Sequence, residues 1–267
     1  MNILVTGGNG FVGGYIVKHL SELGHTVHAP SSKLLNLTNL SDVECWFEAN
    51  EVDVVVHCAL SGRETLGSTD PIYLSDGLLM FRNLWLQRRH YMRFVNLGTA
   101  YEFDLHKNNS LVKEYDFVHH LPRTSYGYAK NLVARIIRDT PSFFNLKLFG
   151  VFHETESNRR FFQKVKNDPQ VTISNDQYLD YMYLPDILPM LDMMVEGRSQ
   201  HSDVNMVYPH KYRLSELAYY MCDQLGLPKN KIVIQGSNGN NLTGNSDALA
   251  SYKFNLIGIE QGLRNYK

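Results

Sequence analysis

The sequence predicts an α/β protein organised around a doubly wound parallel sheet, with a smaller C-terminal part interleaved with it. Three observations predict this. Strand-like and helix-like stretches alternate as far as about residue 150. A glycine-rich turn, Thr6-Gly7-Gly8-Asn9-Gly10-Phe11-Val12-Gly13, joins the first strand to the first helix. Val52 to Cys58 is a near-continuous β-branched run, as expected of a central strand covered on both faces.

Ile3 to Val5 is short enough for a buried strand, and from Phe11 the apolar residues Val12, Ile16, Val17 and Leu20 recur at helical spacing. Gly7, Gly10 and Gly13 between them have separate tasks: a tight turn, close approach of backbone to a pyrophosphate, and close packing of helix on strand. The helix N-terminus then offers N–H groups and a partial positive charge to phosphates. Gly24 ends this helix, and His25 to Ala29 reads as the second strand. A ribose-binding acid would stand at the end of that strand in an NAD enzyme. The chain instead reads Ala29-Pro30-Ser31-Ser32-Lys33, hydroxyls and a cation that suit a 2′-phosphate, so NADP(H) is favoured over NAD(H).

Leu34 to Thr38 reads as a short strand-like piece, followed by a helix from near Ser41 with Val43, Trp46 and Phe47 along one face. The Val52 to Cys58 strand runs into Ala59, Leu60, Ser61 and Gly62, mostly small residues against which a cofactor could lie. Leu78 to Leu86 is a buried helix and Phe94 to Leu97 the next strand, leading into Gly98 and Thr99. Residues 102 to 122 form a long loop of mixed charge near a strand's C-terminal end, where open α/β sheets bind ligands. An amphipathic helix follows Thr124, and Leu146 to Phe149 is a further strand. Beyond Gly150 the pattern loosens. A helix begins at Arg159-Arg160, Val171 to Ile173 is a short strand, Tyr178 to Leu184 is an aromatic-rich strand, and a helix runs from Asp186 through Met194. Leu214 to Leu225 is a helix closed by Gly226, and a polar segment, Gly236 to Gly244, precedes a short terminal helix. The division expected is 1–150, with 176–200 returning to it, and a remainder within 151–267.

Lys plus Arg number 26 and Asp plus Glu 27 among 267 residues, so no charge excess argues for nucleic acid or a membrane surface as partner. No apolar stretch is long enough to span a bilayer, and the N-terminus starts a strand, not a signal peptide. Cys45, Cys58 and Cys222 are scattered, without metal spacing, and suit a reducing compartment. A cytoplasmic protein is expected.

Tyr126 and Lys130 are four residues apart in Thr124-Ser125-Tyr126-Gly127-Tyr128-Ala129-Lys130, so both lie on one helical face, downstream of Thr99 at a strand end. With the N-terminal glycines, this pattern resembles the extended short-chain dehydrogenase/reductases, the NAD-dependent epimerases and dehydratases, and implies their Rossmann fold. His57-Cys58-Ala59 resembles that family's strand-end His-x-Ala, Tyr126 to Lys130 its Tyr-x-x-x-Lys, and Tyr181 to Asp186 its aromatic strand leading to an Asp.

The resemblance implies roles. Tyr126 would be the proton donor to a carbonyl oxygen, Lys130 would lower its pKa and hold the nicotinamide ribose, and Thr99 would bind the substrate oxygen. A free tyrosine titrates near about 10, and nearby cations stabilise phenolate. Gly7, Asn9, Gly10, Phe11, Val12 and Gly13 would meet the dinucleotide, with Ser31, Lys33, Asn36 and Leu37 toward its adenosine end and Cys58, Ala59 and Leu60 beneath it. No metal ligand is implied.

Dehydratases of the family carry Asp-Glu directly after the Thr, where this chain has Ala100-Tyr101. Lys33 to Thr38, Leu97-Gly98-Thr99 and Leu148-Phe149-Gly150 resemble the subgroup of GDP-L-fucose-synthase-like sugar-nucleotide 4-ketoreductases. That subgroup's epimerising Cys is replaced by Tyr101, while His153 stands near the expected place of its His. The implied activity is NADP(H)-dependent reduction of the 4-keto group of a nucleoside-diphospho-4-keto-6-deoxy-sugar, without epimerisation, in polysaccharide biosynthesis. Two alternatives stay open: an epimerase (C4 with bound NAD, or a C3/C5 epimerase-reductase) and a non-catalytic dinucleotide-sensing regulator. Ser61, Tyr101, His153 and Arg160 are the candidate substrate contacts, Arg160 sharing a helical face with Lys164. The smaller part would form a nucleotide-sugar-binding lid, and the family implies a homodimer.

Overall fold

The computed structural model describes residues 1–60, 69–237 and 239–266. The chain divides into two compact units. The first comprises Met1–Asp104, Tyr115–Lys147 and Leu188–Val204, the second Leu105–Glu114, Leu148–Ile187 and Asn205–Lys267.

The first unit is built on a six-stranded sheet in the spatial order Asp203–Met206, Phe143–Leu148, Arg93–Thr99, Val54–His57, Asn2–Thr6, Thr26–His28. Asn2–Thr6 pairs in parallel with Thr26–His28 on one side and with Val54–His57 on the other. The chain therefore reverses its direction of travel across the sheet at the first strand, the switch point at which such sheets bind ligands. Val54, Val55 and Val56 are fully buried, as a strand covered on both faces requires. On one face Phe94 stacks on Phe143 at 4.9 Å, and Phe81, Leu84, Val133 and Ile137 join them in one core. The last four come from the helices Pro71–Leu86 and Ser125–Arg138, which approach so closely that a Cβ on Gly77 would stand 3.1 Å from that of Ala129. Elsewhere the helices Phe11–Glu22 and Leu188–Val195 are linked by a His19–Asp192 hydrogen bond of 2.9 Å.

Several boundaries match the sequence pattern closely. The Phe11–Glu22 helix ends before Gly24, which adopts φ +82, and the Leu214–Leu225 helix ends at Gly226, with φ +66. Leu34 to Thr38 is a correction: it forms turns, not a strand. The N–H groups of Leu34 and Leu35 both donate to the Ser31 carbonyl, and the Asn36 side chain accepts from the Thr38 N–H and hydroxyl at 3.1 and 2.8 Å. An Asn that bonds the backbone two residues on competes with a sheet ladder. Leu35 and Leu37 are still buried, so the alternation was real but served a turn.

Among its described residues the second unit contains three two-stranded parallel pairings: Ile232–Ile234 with Val171–Ile173, Leu242–Gly244 with Asn109–Val112, and Val151–Phe152 with Met182–Tyr183. The aromatic stretch from Tyr178 is thus a strand only at Met182–Tyr183, and the helix expected from Arg159 begins at Phe161 with Arg160 as its cap. Phe152, Phe162, Tyr183 and Tyr266 pack around one another. Buried Asp186 accepts from the backbone of Ile257 and Gly258, at 2.7 and 2.8 Å, and from the Tyr208 hydroxyl, which fixes the approach to the terminal helix Ile259–Arg264. Among the described residues no helix is long and apolar enough to cross a membrane.

Candidate active site

At the switch point the first strand turns into the first helix through Gly7, which holds φ +68. Only glycine adopts this readily, and space demands it too: a Cβ there would lie 2.8 Å from the backbone of Cys58 and Ala59. Gly10 donates its N–H to the Gly7 carbonyl at 2.9 Å and caps the Phe11–Glu22 helix without a side chain. At Gly13 a Cβ would stand 2.3 Å from the Gly7 carbonyl oxygen, so its absence lets the helix lie against the turn. The three glycines therefore perform three steric jobs.

Beside this turn lies a cleft of about 470 Å³, within the usual size of a small-molecule site. Gly7, Asn9 and Gly10 form its floor at the helix start, and Ser31, Asn36 and Leu37 line it further on, with Ala59 and Leu60 from the third strand's end. Phe11, Val12, Gly13, Lys33 and Cys58 do not line the cleft, although Phe11, Lys33 and Cys58 each adjoin a residue that does. Ser32, read with Ser31 as a hydroxyl for a 2′-phosphate, lines it too, and sequence reasoning passed over Thr38, Asp76 and Met80, which also do. The last two come from the Pro71–Leu86 helix, and only their three-dimensional neighbours mark them out. The cleft fits a dinucleotide on the structure's own terms: glycine backbone at its floor and a helix N-terminus that carries no side-chain cap hydrogen bond.

A narrower recess shares Ala59, Leu60 and Met80 with the cleft and is also lined by His57, Asn96, Tyr126 and Lys130. The Ser125–Arg138 helix, capped by the Thr124 hydroxyl on the Gly127 N–H at 3.1 Å, carries Tyr126 and Lys130 toward the strand ends. The Lys130 ammonium donates to the Leu97 carbonyl at 2.9 Å. Tyr126 is buried, with the Thr99 side chain near enough to act on its hydroxyl as a hydrogen-bonding neighbour and hold its pKa down. Tyr101 sets its ring edge-on to Tyr126, with centroids 5.8 Å apart. Thr99, Tyr126, Lys130 and Tyr101 are thus gathered in one place.

Burial drives the Tyr126 hydroxyl above its ordinary value, the Thr99 hydrogen bond works the other way, and the charges of Glu102 and Tyr101 add to the rise. In the protein alone, then, Tyr126 is firmly protonated. Burial lowers Lys130, while Glu102 and Cys58 partly restore it. His57 is buried, with Nδ1 2.8 Å from the Thr6 hydroxyl, and burial followed by the Lys130 cation lowers it to about 3. It is a neutral structural link. Burial raises the Cys58 thiol to about 12, which makes it an unreactive neighbour.

Ser61 lies outside the described residues. His153 and Arg160 belong to the second unit. His153 stacks on Tyr183 with centroids 5.5 Å apart and shares a 2.8 Å hydrogen bond with the Thr155 hydroxyl. Arg160 donates to Glu156 at 2.8 Å and to the Val151 carbonyl, contacts that hold it within that unit's own frame. Glu102 is the residue that sequence reasoning missed: it fell at the start of a stretch read as loop, yet it is fully buried and accepts from the Thr99 N–H at 2.9 Å.

The family model for the NAD dependent epimerase/dehydratase family matches residues 3–206, most of the chain. The chain belongs to that family. A spore coat polysaccharide biosynthesis protein of Bacillus subtilis, SpsK, is 29% identical over 140 residues, covering 52% of this chain and 48% of that protein. A GDP-L-fucose synthase of Azorhizobium caulinodans is 32% identical over 102 residues, covering 37% of this chain and 33% of that protein. The matched stretches thus span half or less of these relatives' length. Among solved structures, the dTDP-4-dehydrorhamnose reductase of Bacillus anthracis in complex with NADP superposes with a TM-score of 0.82 at 16% identity, covering 99% of this chain and 96% of that one. At that identity the likeness carries the fold, a Rossmann-type α/β architecture.

Proposed function

We propose that this member of the epimerase/dehydratase family is an NADP(H)-dependent reductase of the 4-keto group of a nucleoside-diphospho-4-keto-6-deoxy-sugar. The observation that carries the reading is that Tyr126 and Lys130 line a recess adjoining the glycine-floored cleft, with the Thr99 side chain as a neighbour of the Tyr126 hydroxyl. The nicotinamide, when bound, supplies hydride to the carbonyl carbon. Tyr126 then gives its proton to the carbonyl oxygen, and Thr99 holds that oxygen by a hydrogen bond. Lys130, anchored on the Leu97 carbonyl, holds the nicotinamide ribose and stabilises the phenolate left behind.

NADP(H) is favoured by the absence of an acid in the turn after the Thr26–His28 strand, where Ser31 and Ser32 line the cleft and Lys33 follows. Ala100-Tyr101 after Thr99 supports plain reduction over dehydration. The second unit would receive the nucleotide sugar, with His153 and Arg160 as its candidate contacts, and a homodimer is the assembly proposed.

The test is NADPH oxidation with GDP-4-keto-6-deoxy-mannose, CDP-4-keto-6-deoxy-glucose and dTDP-4-keto-6-deoxy-glucose, with Tyr126→Phe as control. Stoichiometric oxidation on one of them, lost in the variant, is the expected result. No oxidation on any, with NAD retained through purification, would move the assignment to an epimerase.

A further inference from the structure

Beneath Thr99 lies a buried polar cluster that the proposed reaction does not use. Glu102, Lys147 and Asp203 are all essentially inaccessible to solvent, and the Lys147 ammonium stands 3.2 Å from Glu102 and 3.1 Å from Asp203. The rings of Phe103 and Phe117 face the same cation. Asn145 donates to both Glu102 carboxylate oxygens at 3.2 Å and accepts from Asn96, a residue of the recess, at 2.7 Å. Ion triads of this kind are costly to bury and often no more stable than apolar packing. This one is also built into the backbone: a Cβ on Gly98 would lie 2.6 Å from the Glu102 carboxylate and 2.4 Å from Asn145, so glycine is required next to Thr99.

We infer that Glu102 is a positioning residue of the reductase site: its carboxylate, held by Lys147, fixes the Thr99 main chain and thereby the hydroxyl that meets Tyr126. This rests on the reductase reading. The chain of contacts is short. Glu102 accepts the Thr99 N–H at 2.9 Å, the turn Ala100–Glu102 closes on the Thr99 side chain, and that side chain acts on the Tyr126 hydroxyl as its neighbour. The same negative charge acts on the chemistry directly, since it favours the protonated form of both Tyr126 and Lys130. The other groups that act on these two are Thr99 and Tyr101 for Tyr126 and Cys58 for Lys130, while Lys147 and Asp203 face Glu102.

The experiment is Glu102→Gln in the full chain, assayed by NADPH oxidation with the sugar nucleotide on which the wild type turns over. The amide lacks the ionic hold of Lys147 on which the placing of Thr99 depends, and the charge is gone. We expect kcat to fall about tenfold or more with the KM for NADPH within about twofold of wild type. The alkaline limb of the kcat profile, where Tyr126 loses its proton, should move to lower pH. If that variant does not fold, Glu102→Gln combined with Lys147→Met removes both charges and should show the same loss and shift. Unchanged kcat and pH profile in a folded variant, whatever its melting temperature, overturns the role of Glu102 alone. Absence of turnover in the wild type on every substrate overturns the reductase reading and this inference together.

Discussion

The Lys130 ammonium is anchored to the main-chain carbonyl of Leu97 at 2.9 Å, so a residue of the Ser125–Arg138 helix is tied to the strand that ends in Thr99. One bond thus sets the place of the cation relative to both hydroxyls. Lys130→Met should leave the fold intact, because burial already disfavours this cation and a methionine fills similar volume. NADPH-dependent turnover should fall by at least about 10²-fold. Melting curves beside turnover rates check both halves, and turnover at the wild-type level would remove Lys130 from the reaction.

His57 gives a signed pH dependence. Its folded value is lowered to about 3 from an ordinary 6.5, mainly by burial and further by the Lys130 cation. The unfolded chain therefore binds the proton that the folded chain refuses. The stability from the neutral ring is fully present above about 6.5 and is lost as pH falls toward about 3. Urea unfolding followed from about pH 7.5 to about pH 5 should show the loss, and His57→Asn should flatten that part of the profile by an amount on the order of 1–2 kcal/mol. Equal slopes in the two proteins would sink the assignment.

Gly13→Ala tests the seat of the first helix. The new methyl would meet the Gly7 carbonyl oxygen at 2.3 Å, and backbone on both sides leaves nothing flexible to yield. We expect a destabilisation of about 1–3 kcal/mol in urea unfolding. Dinucleotide binding measured by calorimetry should weaken as well, because the displaced turn forms the floor of the cleft.

These residues also show what could be read in advance. Gly10 and Gly13 were legible because their steric tasks act on the Gly7 carbonyl, a near neighbour in sequence, and Gly7 and the helix-closing Gly226 because each makes a local turn at positive φ. Tyr126 and Lys130 were legible as a spacing on one helix face. Glu102 and Lys147 were not, since each reads alone as a charge in a loop or strand. Asn145 lies 43 residues from Glu102 and Asp203 lies 56 from Lys147, and the sheet brings them together. Leu34 to Thr38 failed for another reason: alternating burial looks the same in a strand and in a turn that an Asn side chain closes.

Cofactor choice turns on the segment after the Thr26–His28 strand. Ser31 and Ser32 line the cleft and Lys33 is exposed beside them, so a 2′-phosphate there would meet hydroxyls and a nearby cation in place of a carboxylate. Lys33→Glu reverses the charge without touching the glycine floor. An exposed contact of this kind is worth on the order of 1 kcal/mol, so the Kd for NADPH should rise roughly five- to tenfold while that for NADH stays within about twofold. Salt should weaken NADPH binding to the wild type more than to the variant, since screening removes an attraction that only the wild type has. Equal changes in the two dinucleotides would mean that Lys33 does not read the phosphate, and Ser31→Ala with Ser32→Ala would then test whether the hydroxyls do.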